Sequence, residues 1–218
     1  MNPAAPSLSN GQLRADLRLV AELVEPGSRV LDLGCGDGEL LNYLVRNKQV
    51  DGRGIELSQE GVNASVAKGL PVVQGDAETD LANYPSNSFD YVILWQTLPA
   101  IYDVKGVLDE MLRIGRHGVV SLPNFGYWRI RFDLAAHGRS PVIGKFPYRW
   151  YNSPNIRFCT LIDFVQLAED SGIRIERMIT VDRNGTATTR DHIGRWTNLF
   201  AEEAIFLFSR AAGSAPRA

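Results

Sequence analysis

The 218-residue sequence predicts an α/β fold in which a mostly parallel β-sheet is covered by helices on both faces. The first observation is that short apolar runs with strand character alternate with segments that repeat apolar residues at helical spacing. The second is that the runs at 91–94 (YVIL) and 118–122 (GVVSL) are almost continuously apolar. Such runs are typical of strands buried on both faces of a sheet.

The first half of the chain supplies these elements in strict alternation. An initial helix with Leu13, Leu17, Val20 and Val24 on one face is ended by the Pro-Gly pair at 26–27. The strands predicted after it lie at 28–33, 52–57, 71–76, 89–95 and 118–122, and the helices at 39–47, 59–69 and 104–113.

The pattern changes after residue 122. Residues 123–158 are rich in Pro, Gly, aromatic residues and Arg, and we expect them to form a lid or insertion. A helix at 161–172 follows. Strands at 173–181 and 203–210, joined by a polar loop at 182–194, predict a strand pair at one edge of the sheet.

Composition bounds the domain organisation and excludes several function classes. We expect one domain over 9–210, with disordered ends at 1–8 and 211–218 because these are rich in Ala, Pro and Ser. The net charge of −2 argues against a nucleic-acid partner. With no apolar run of membrane-spanning length and no signal-peptide pattern, we expect a cytoplasmic protein without membrane contact. No Cys or His spacing predicts a metal site.

The stretch after the first strand contains a glycine turn. Gly34, Gly36 and Gly38 have the spacing G-x-G-x-G, which lets the backbone turn sharply and approach a ligand closely. Dinucleotide sites use G-x-G-x-x-G and offer a helix N-terminus to a pyrophosphate. Asp37 and Glu39 would repel that group here, so the turn favours a nucleotide-like ligand without phosphate.

Three acidic residues lie at or near the ends of successive strands. Asp32 can hold loop amides or meet a ligand cation, and its alternative role is a turn carboxylate that binds its own backbone. Glu56, 22 residues after Gly34, can accept from ribose hydroxyls or be a solvated strand end. Asp76 can accept from an adenine amino group or be a turn residue. Cys35 fits the turn as a small residue, with a reactive thiol as the alternative.

The segments VLDLGCGDG, GIEL, QGDAET and FDYVILWQTL resemble the successive motifs of class I S-adenosylmethionine-dependent methyltransferases. This resemblance implies a Rossmann-like fold with a seven-stranded, mostly parallel sheet whose last strand is antiparallel. It also implies nine cofactor-binding residues: Asp32, Gly34 and Gly36 by the methionine part, Glu56 by the ribose, Leu57, Asp76 and Ala77 by the adenine, and Trp95 and Gln96 near the sulfonium.

Three further segments, WQTLPAIYD, SLPNFGYWRIRF and FPYRWYNSPNIRFCTLIDF, resemble the family of the methionine-biosynthesis protein MetW, over about 13–208. The resemblance implies a partner of homoserine O-acyltransferase (MetX), which the protein activates or regulates. The cofactor that it implies is S-adenosylmethionine or S-adenosylhomocysteine.

No residue is predicted to be catalytic. The Asp/Asn-Pro-Pro-Tyr/Phe signature of amide and adenine methyltransferases is replaced by LWQTLP at 94–99. Tyr102, Asp103 and His192 are possible bases beside an acceptor, but structural roles fit them better. Whether the protein is an enzyme stays open, with a small-molecule methyltransferase as the alternative and a nucleic-acid methyltransferase as a weaker one.

The predicted lid combines aromatic residues with a local charge of +5 over 129–157, where six Arg or Lys residues accompany Asp133. A lid that simply packs on the core, a protein interface and an acceptor site all fit this composition. Because Trp, Tyr and Arg dominate interface hot spots, we predict a partner interface. Its candidate residues are Phe125, Tyr127, Trp128, Arg149, Trp150 and Arg157.

Overall fold

The computed structural model describes residues 14–211. Its strands are β1 Arg29–Leu33, β2 Asp51–Glu56, β3 Val72–Gln74, β4 Phe89–Trp95, β5 Gly115–Pro123, β6 Ile173–Val181, β7 Ala187–Arg190 and β8 Glu203–Arg210. Its α-helices are α1 Ala15–Leu23, α2 Glu39–Lys48, α3 Gln59–Ala67, α4 Val104–Ile114, α5 Trp128–His137, α6 Leu161–Asp170 and α7 Arg195–Phe200. Two short 3₁₀ helices span Leu81–Asn83 and Leu98–Ala100.

All these strands join one sheet in the order β3-β2-β1-β4-β5-β8-β6-β7. Strands β1 to β5 pair in parallel, and β8 inserts antiparallel between β5 and β6. The predicted mostly parallel sheet with an antiparallel last strand is confirmed. The chain order reverses between β1 and β4, which leaves a crevice at the carboxyl ends of these two strands.

The sheet has eight strands where seven were predicted, because β7 lies inside the predicted loop at 182–194. The Asp182 carboxylate accepts hydrogen bonds from the backbone N–H groups of Asn184 and Thr186, at 2.9 and 2.8 Å. This turn folds β7 back onto β6. All four residues of β7 are exposed, so no apolar alternation marks the strand in the sequence.

Apolar residues pack on both faces of the sheet, as predicted for buried parallel strands. On one face, Phe164 of α6 packs 4.5 Å from Phe206 of β8, measured between ring centroids, within a cluster that also contains α4. On the other face, Val20 of α1 and Leu44 of α2 pack with Ile93 and other strand residues. The two helical layers leave the carboxyl edge of the sheet free for a site.

The segment predicted as a lid contains α5, a helix that the sequence did not indicate. Among the side chains of α5, Ile130 is buried, so the helix lacks an apolar stripe. Ile130 packs with Tyr127 and Phe146 in a small cluster separate from the main core. Asn124, fully buried, anchors the segment by donating to the carbonyls of Asn198 and Ala201 at 2.6 and 2.8 Å.

The predictions for the chain ends lie outside the described residues, apart from Ala211, whose N–H donates to the Gly172 carbonyl at 3.1 Å. Among the helices of residues 14–211, none has the length and apolar character needed to cross a membrane.

Candidate cofactor site

The glycine turn opens at the carboxyl end of β1. Gly34 and Gly36 have φ angles of +68° and +57°, a region that L side chains rarely adopt. The Gly34 N–H donates to the Ile55 carbonyl at 2.8 Å. A Cβ atom on Gly34 would lie 2.9 Å from Thr97 Oγ1, so a side chain there would also displace its neighbour.

Glu56 fastens this turn to the end of β2. Its Oε2 accepts from the Gly36 N–H at 2.8 Å, and its Oε1 accepts from the Ser58 N–H at 2.8 Å. Sequence reasoning did not anticipate this clamp. Each carboxylate oxygen keeps a further lone pair, so the clamp leaves Glu56 able to accept from another donor.

A cavity of about 120 Å³ lies inside the turn. Four of the nine predicted cofactor residues line it together: Asp32, Gly34, Gly36 and Trp95. Sequence reasoning missed Arg14 and Leu17, which reach the cavity from the start of α1. The helical pattern of α1 was visible, but no local signal says that its first turn crosses the carboxyl edge of the sheet.

Asp32 has the most perturbed carboxyl group of this cavity. It is 2% exposed and receives no hydrogen bond from a described residue, so the turn-carboxylate alternative is not realised there. Burial, and then the nearby Glu56 charge, raise the pKa of Asp32 to about 7. A buried carboxyl group without a donor, on the wall of a cavity, fits a ligand that brings a cation.

Arg14 and Trp95 also line this cavity and carry N–H donors, and Arg14 Nη2 pairs with Asp16 Oδ2 at 2.9 Å. The guanidinium carbon of Arg14 lies 4.9 Å from the centroid of the Trp95 ring. Trp95 Nε1 is buried and has no hydrogen-bond partner among the described residues. The lining of the cavity therefore combines a buried carboxyl group with N–H donors, the two kinds of group that a zwitterionic ligand requires.

Gln96, predicted to lie near the sulfonium, contacts strands β5 and β8 instead of the cavity. Its φ angle is +53°, and its N–H donates to the carbonyl of Ser121 at 3.1 Å. The side-chain Nε2 donates to Glu203 Oε2 at 3.1 Å, and Gln96 does not line the cavity. Gln96 thus links the wall of the cavity to β8.

The predicted adenine-side residues stand at the ends of the neighbouring strands, outside this cavity. Leu57 is 67% exposed next to Glu56. Asp76 Oδ1 accepts from the Glu78 N–H at 2.8 Å, which is the turn role named as its alternative. Ala77 packs against the main core. These positions leave the adenine assignment a prediction.

Reactive groups near the site have structural explanations. Burial, with the charges of Asp32 and Glu56, raises the pKa of the Cys35 thiol to about 12, so it stays protonated at neutral pH. Asp103 Oδ1 accepts from the Gly106 N–H at 2.9 Å and caps α4. Tyr102 and His192 are exposed. Across residues 14–211, no group of three or more His, Cys, Asp or Glu residues could hold a metal ion.

The predicted interface residues divide into two groups. Trp128, Arg149, Trp150 and Arg157 are exposed on the lid, with Trp150 at 76%. The other two lie within the lid: Tyr127 is 3% exposed, and Phe125 packs on Phe146 and Phe158 at 5.5 and 4.6 Å between ring centroids. The structure therefore corrects the placement of Tyr127, because its ring fills the small lid cluster instead of meeting solvent.

Comparison with known proteins identifies the family. The model of the family described as "Methionine biosynthesis protein MetW" matches residues 14–208. The chain belongs to the MetW family. It is 36% identical over 219 residues to the bifunctional methionine biosynthesis protein MetXA/MetW of Rhodopirellula baltica. That match covers 96% of this chain but 34% of the relative, so this MetW chain spans about a third of the relative's length.

The chain is also similar, at lower identity, to methyltransferases. A demethylmenaquinone methyltransferase of Listeria welshimeri is 26% identical over 186 residues, covering 76% of this chain and 78% of the relative. A solved S-adenosylmethionine-dependent methyltransferase of Thermotoga maritima, described as a possible histamine N-methyltransferase, aligns with a TM-score of 0.65. It is 16% identical and covers 90% of this chain and 87% of its own, which establishes the fold.

Replacing Asp32 with Asn should change how stability depends on pH. The carboxyl group keeps its proton in the folded chain up to a pKa of about 7, but loses it near 3.8 when unfolded, so stability falls as pH rises between these values. Asp32→Asn removes this loss. Relative to the parent, its free energy of unfolding should rise by about 2–3 kcal/mol between pH 5 and pH 8.

Urea denaturation at both pH values measures this difference. Asp51→Asn, at an exposed position of β2, is the control and should show no such trend. A constant difference between Asp32→Asn and the parent across the pH range would contradict the buried-carboxyl interpretation.

Proposed function

We propose that this chain binds S-adenosylmethionine or S-adenosylhomocysteine at the glycine turn. The charged and polar groups that line the cavity support the proposal. The Asp32 carboxyl group would pair with the positive charge of the methionine part. The Arg14 guanidinium and the Trp95 N–H would donate hydrogen bonds to the carboxylate of that methionine part. Glu56 would accept from the ribose hydroxyls, next to Leu57, Asp76 and Ala77 at the adenine.

We further propose that the chain acts in methionine biosynthesis, in the cytoplasm, as a partner that activates or regulates homoserine O-acyltransferase (MetX). The observation that carries this proposal is the Rhodopirellula baltica relative, whose name joins MetXA and MetW in one protein. Joining two units in one polypeptide holds them at high effective concentration. Where the two units are not joined in one polypeptide, a docking surface would be needed to achieve the same proximity.

The exposed side of the lid is suited to that docking. We define the lid surface as Trp128, Arg149, Trp150 and Arg157. Large aromatic side chains and guanidinium groups supply much of the affinity in protein interfaces. The packed rings of Phe125, Tyr127 and Phe146 support this surface from inside, which lowers the entropy lost on binding.

A small-molecule methyltransferase is the second candidate, favoured by the identity to the Listeria enzyme. The residues on the acceptor side of the site are the reason for ranking the methyltransferase candidate below the partner role. Asp103 is engaged as a helix cap, and Gln96, which follows β4, is neutral and bound to Glu203. Neither is a suitable general base.

Incubating the chain with S-adenosylmethionine and an extract of small metabolites distinguishes the two candidates. A non-catalytic partner should release no S-adenosylhomocysteine beyond the rate of a boiled-protein control. Multiple turnovers per protein molecule, detected by mass spectrometry, would reverse the ranking.

Glu56→Ala should weaken binding of S-adenosylhomocysteine by about 10- to 100-fold, because it removes a charged acceptor and loosens Gly36. Titration calorimetry measures the affinity, and circular dichroism checks the fold. Glu60→Ala changes an exposed acid in the first turn of α3 and should bind like the parent. Equal affinities of the two variants would rule out the ribose assignment.

Trp150→Ala should reduce co-purification with homoserine O-acyltransferase and any effect on its activity, with affinity lowered by about tenfold or more. Trp196→Ala is a matched control, because Trp196 on α7 is 74% exposed, against 76% for Trp150, but lies outside the lid surface. If the acyltransferase binds neither the parent nor either variant, the partner proposal fails. If Trp196→Ala alone weakens binding, the docking surface is elsewhere.

A further inference from the structure

A second cleft, of about 290 Å³, lies beside the cofactor cavity. It is bordered by the first turns of α1, the turn between β6 and β7, the start of β8 and the lid residue Lys145. Arg14 lines both the cleft and the cofactor cavity. The two spaces are therefore neighbours that share Arg14 in their walls.

The inner end of this cleft contains two carboxylates that converge on one ammonium group. Lys145 Nζ lies 2.7 Å from Glu203 Oε2 and 3.3 Å from Asp16 Oδ2. Glu203 is 1% exposed, and its Oε2 also accepts from Gln96 Nε2. This end of the cleft is thus already arranged to bind a primary ammonium group.

The second oxygen of Glu203 has no donor, and a ligand reaches it only when Lys145 moves aside. Oε1 is buried and accepts no hydrogen bond from any residue between 14 and 211. A buried acceptor left without a donor is costly, and more so when it carries charge. Because Glu203 lines the cleft, a ligand in the cleft can supply the missing donor.

The turn between β6 and β7 and the residue before β8 bring both signs of charge to the cleft, because Asp182 and Glu202 line it together with Arg183. Arg183 lies on the turn between β6 and β7, and its guanidinium makes no hydrogen bond or ion pair within the described chain. The aliphatic side chains of Leu19 and Val181 line the space as well. The cleft therefore combines a buried acceptor, an unpaired guanidinium and apolar contact area.

We propose that this cleft binds a free α-amino acid with an apolar side chain. Its ammonium group donates to Glu203 Oε1 and Asp16, and the flexible Lys145 side chain moves aside to admit it. Its carboxylate pairs with Arg183, and its side chain lies along Leu19 and Val181. This site is distinct from the glycine turn and does not depend on the acyltransferase partner.

The test is calorimetric titration of the whole chain with three related probes, in the presence of saturating S-adenosylhomocysteine. L-Methionine has both charged groups, 3-(methylthio)propylamine lacks the carboxylate, and 4-(methylthio)butanoate lacks the amine. L-Methionine should bind, and each truncated probe should bind about tenfold more weakly or worse, because each loses a charge-assisted contact.

Two variants separate the two ends of the cleft. Arg183→Ala, on an exposed turn, should weaken the binding of L-methionine by about three- to tenfold and leave the affinity for 3-(methylthio)propylamine unchanged. Glu203→Gln should weaken the binding of both probes that carry an amine, L-methionine and 3-(methylthio)propylamine. Arg177→Ala, at an exposed position of β6 outside the cleft, is the control and should bind like the parent.

Three results would overturn the proposal: no binding of L-methionine at roughly 10 mM, butanoate binding as tightly as L-methionine, or no effect of Arg183→Ala. Glu56→Ala provides a separate readout for the glycine turn. Binding of L-methionine that weakens in Arg183→Ala but not in Glu56→Ala supports the cleft even if S-adenosylhomocysteine fails to bind. The reverse dependence would place the amino acid in the cofactor cavity and refute the cleft site.

Discussion

The carboxylate of Glu56 holds the glycine turn in place, and the candidate site depends on that contact. It joins Gly36 to the end of β2, so the turn after β1 cannot swing away from the neighbouring strand. Gly34 is secured in the same way through the Ile55 carbonyl. The cavity requires the turn to stay there, because Gly34, Cys35 and Gly36 form part of its lining. Glu56, which is predicted to bind the ribose, therefore also fixes the backbone of the turn that forms the candidate site.

Three acidic groups lie along the carboxyl edge of the sheet, and their partners differ. Glu56 is satisfied by backbone N–H groups, while Glu203 is satisfied in part by Lys145 and Gln96. Asp32 accepts from no described residue. Unpaired acidic groups are expensive inside a protein unless a ligand or a proton neutralises them. This is the physical reason for assigning one ligand site beside Asp32 on β1 and another beside Glu203 on β8.

The alternation of strands and helices was sufficient to predict the parallel sheet, because buried strands and amphipathic helices have distinct local periodicities. The glycine turn and the acids Asp32, Glu56 and Asp76 could be singled out for the same reason, since each lies at or near the end of a recognisable strand. Strand β7 and helix α5 were missed. Strand β7 is wholly exposed and α5 buries Ile130 without an apolar stripe, so neither leaves a periodic pattern.

The sequence by itself determined the fold class, the family and the order of the motifs, because these are encoded in local spacing along the chain. Only the tertiary structure decided which side chains meet. Arg14 reaches Trp95 across 81 positions, and Lys145 reaches both Asp16 and Glu203. Such contacts arise from the packing of distant elements at one sheet edge, which no local pattern records. For the same reason, the burial of Tyr127 inside the lid could not be predicted from the sequence.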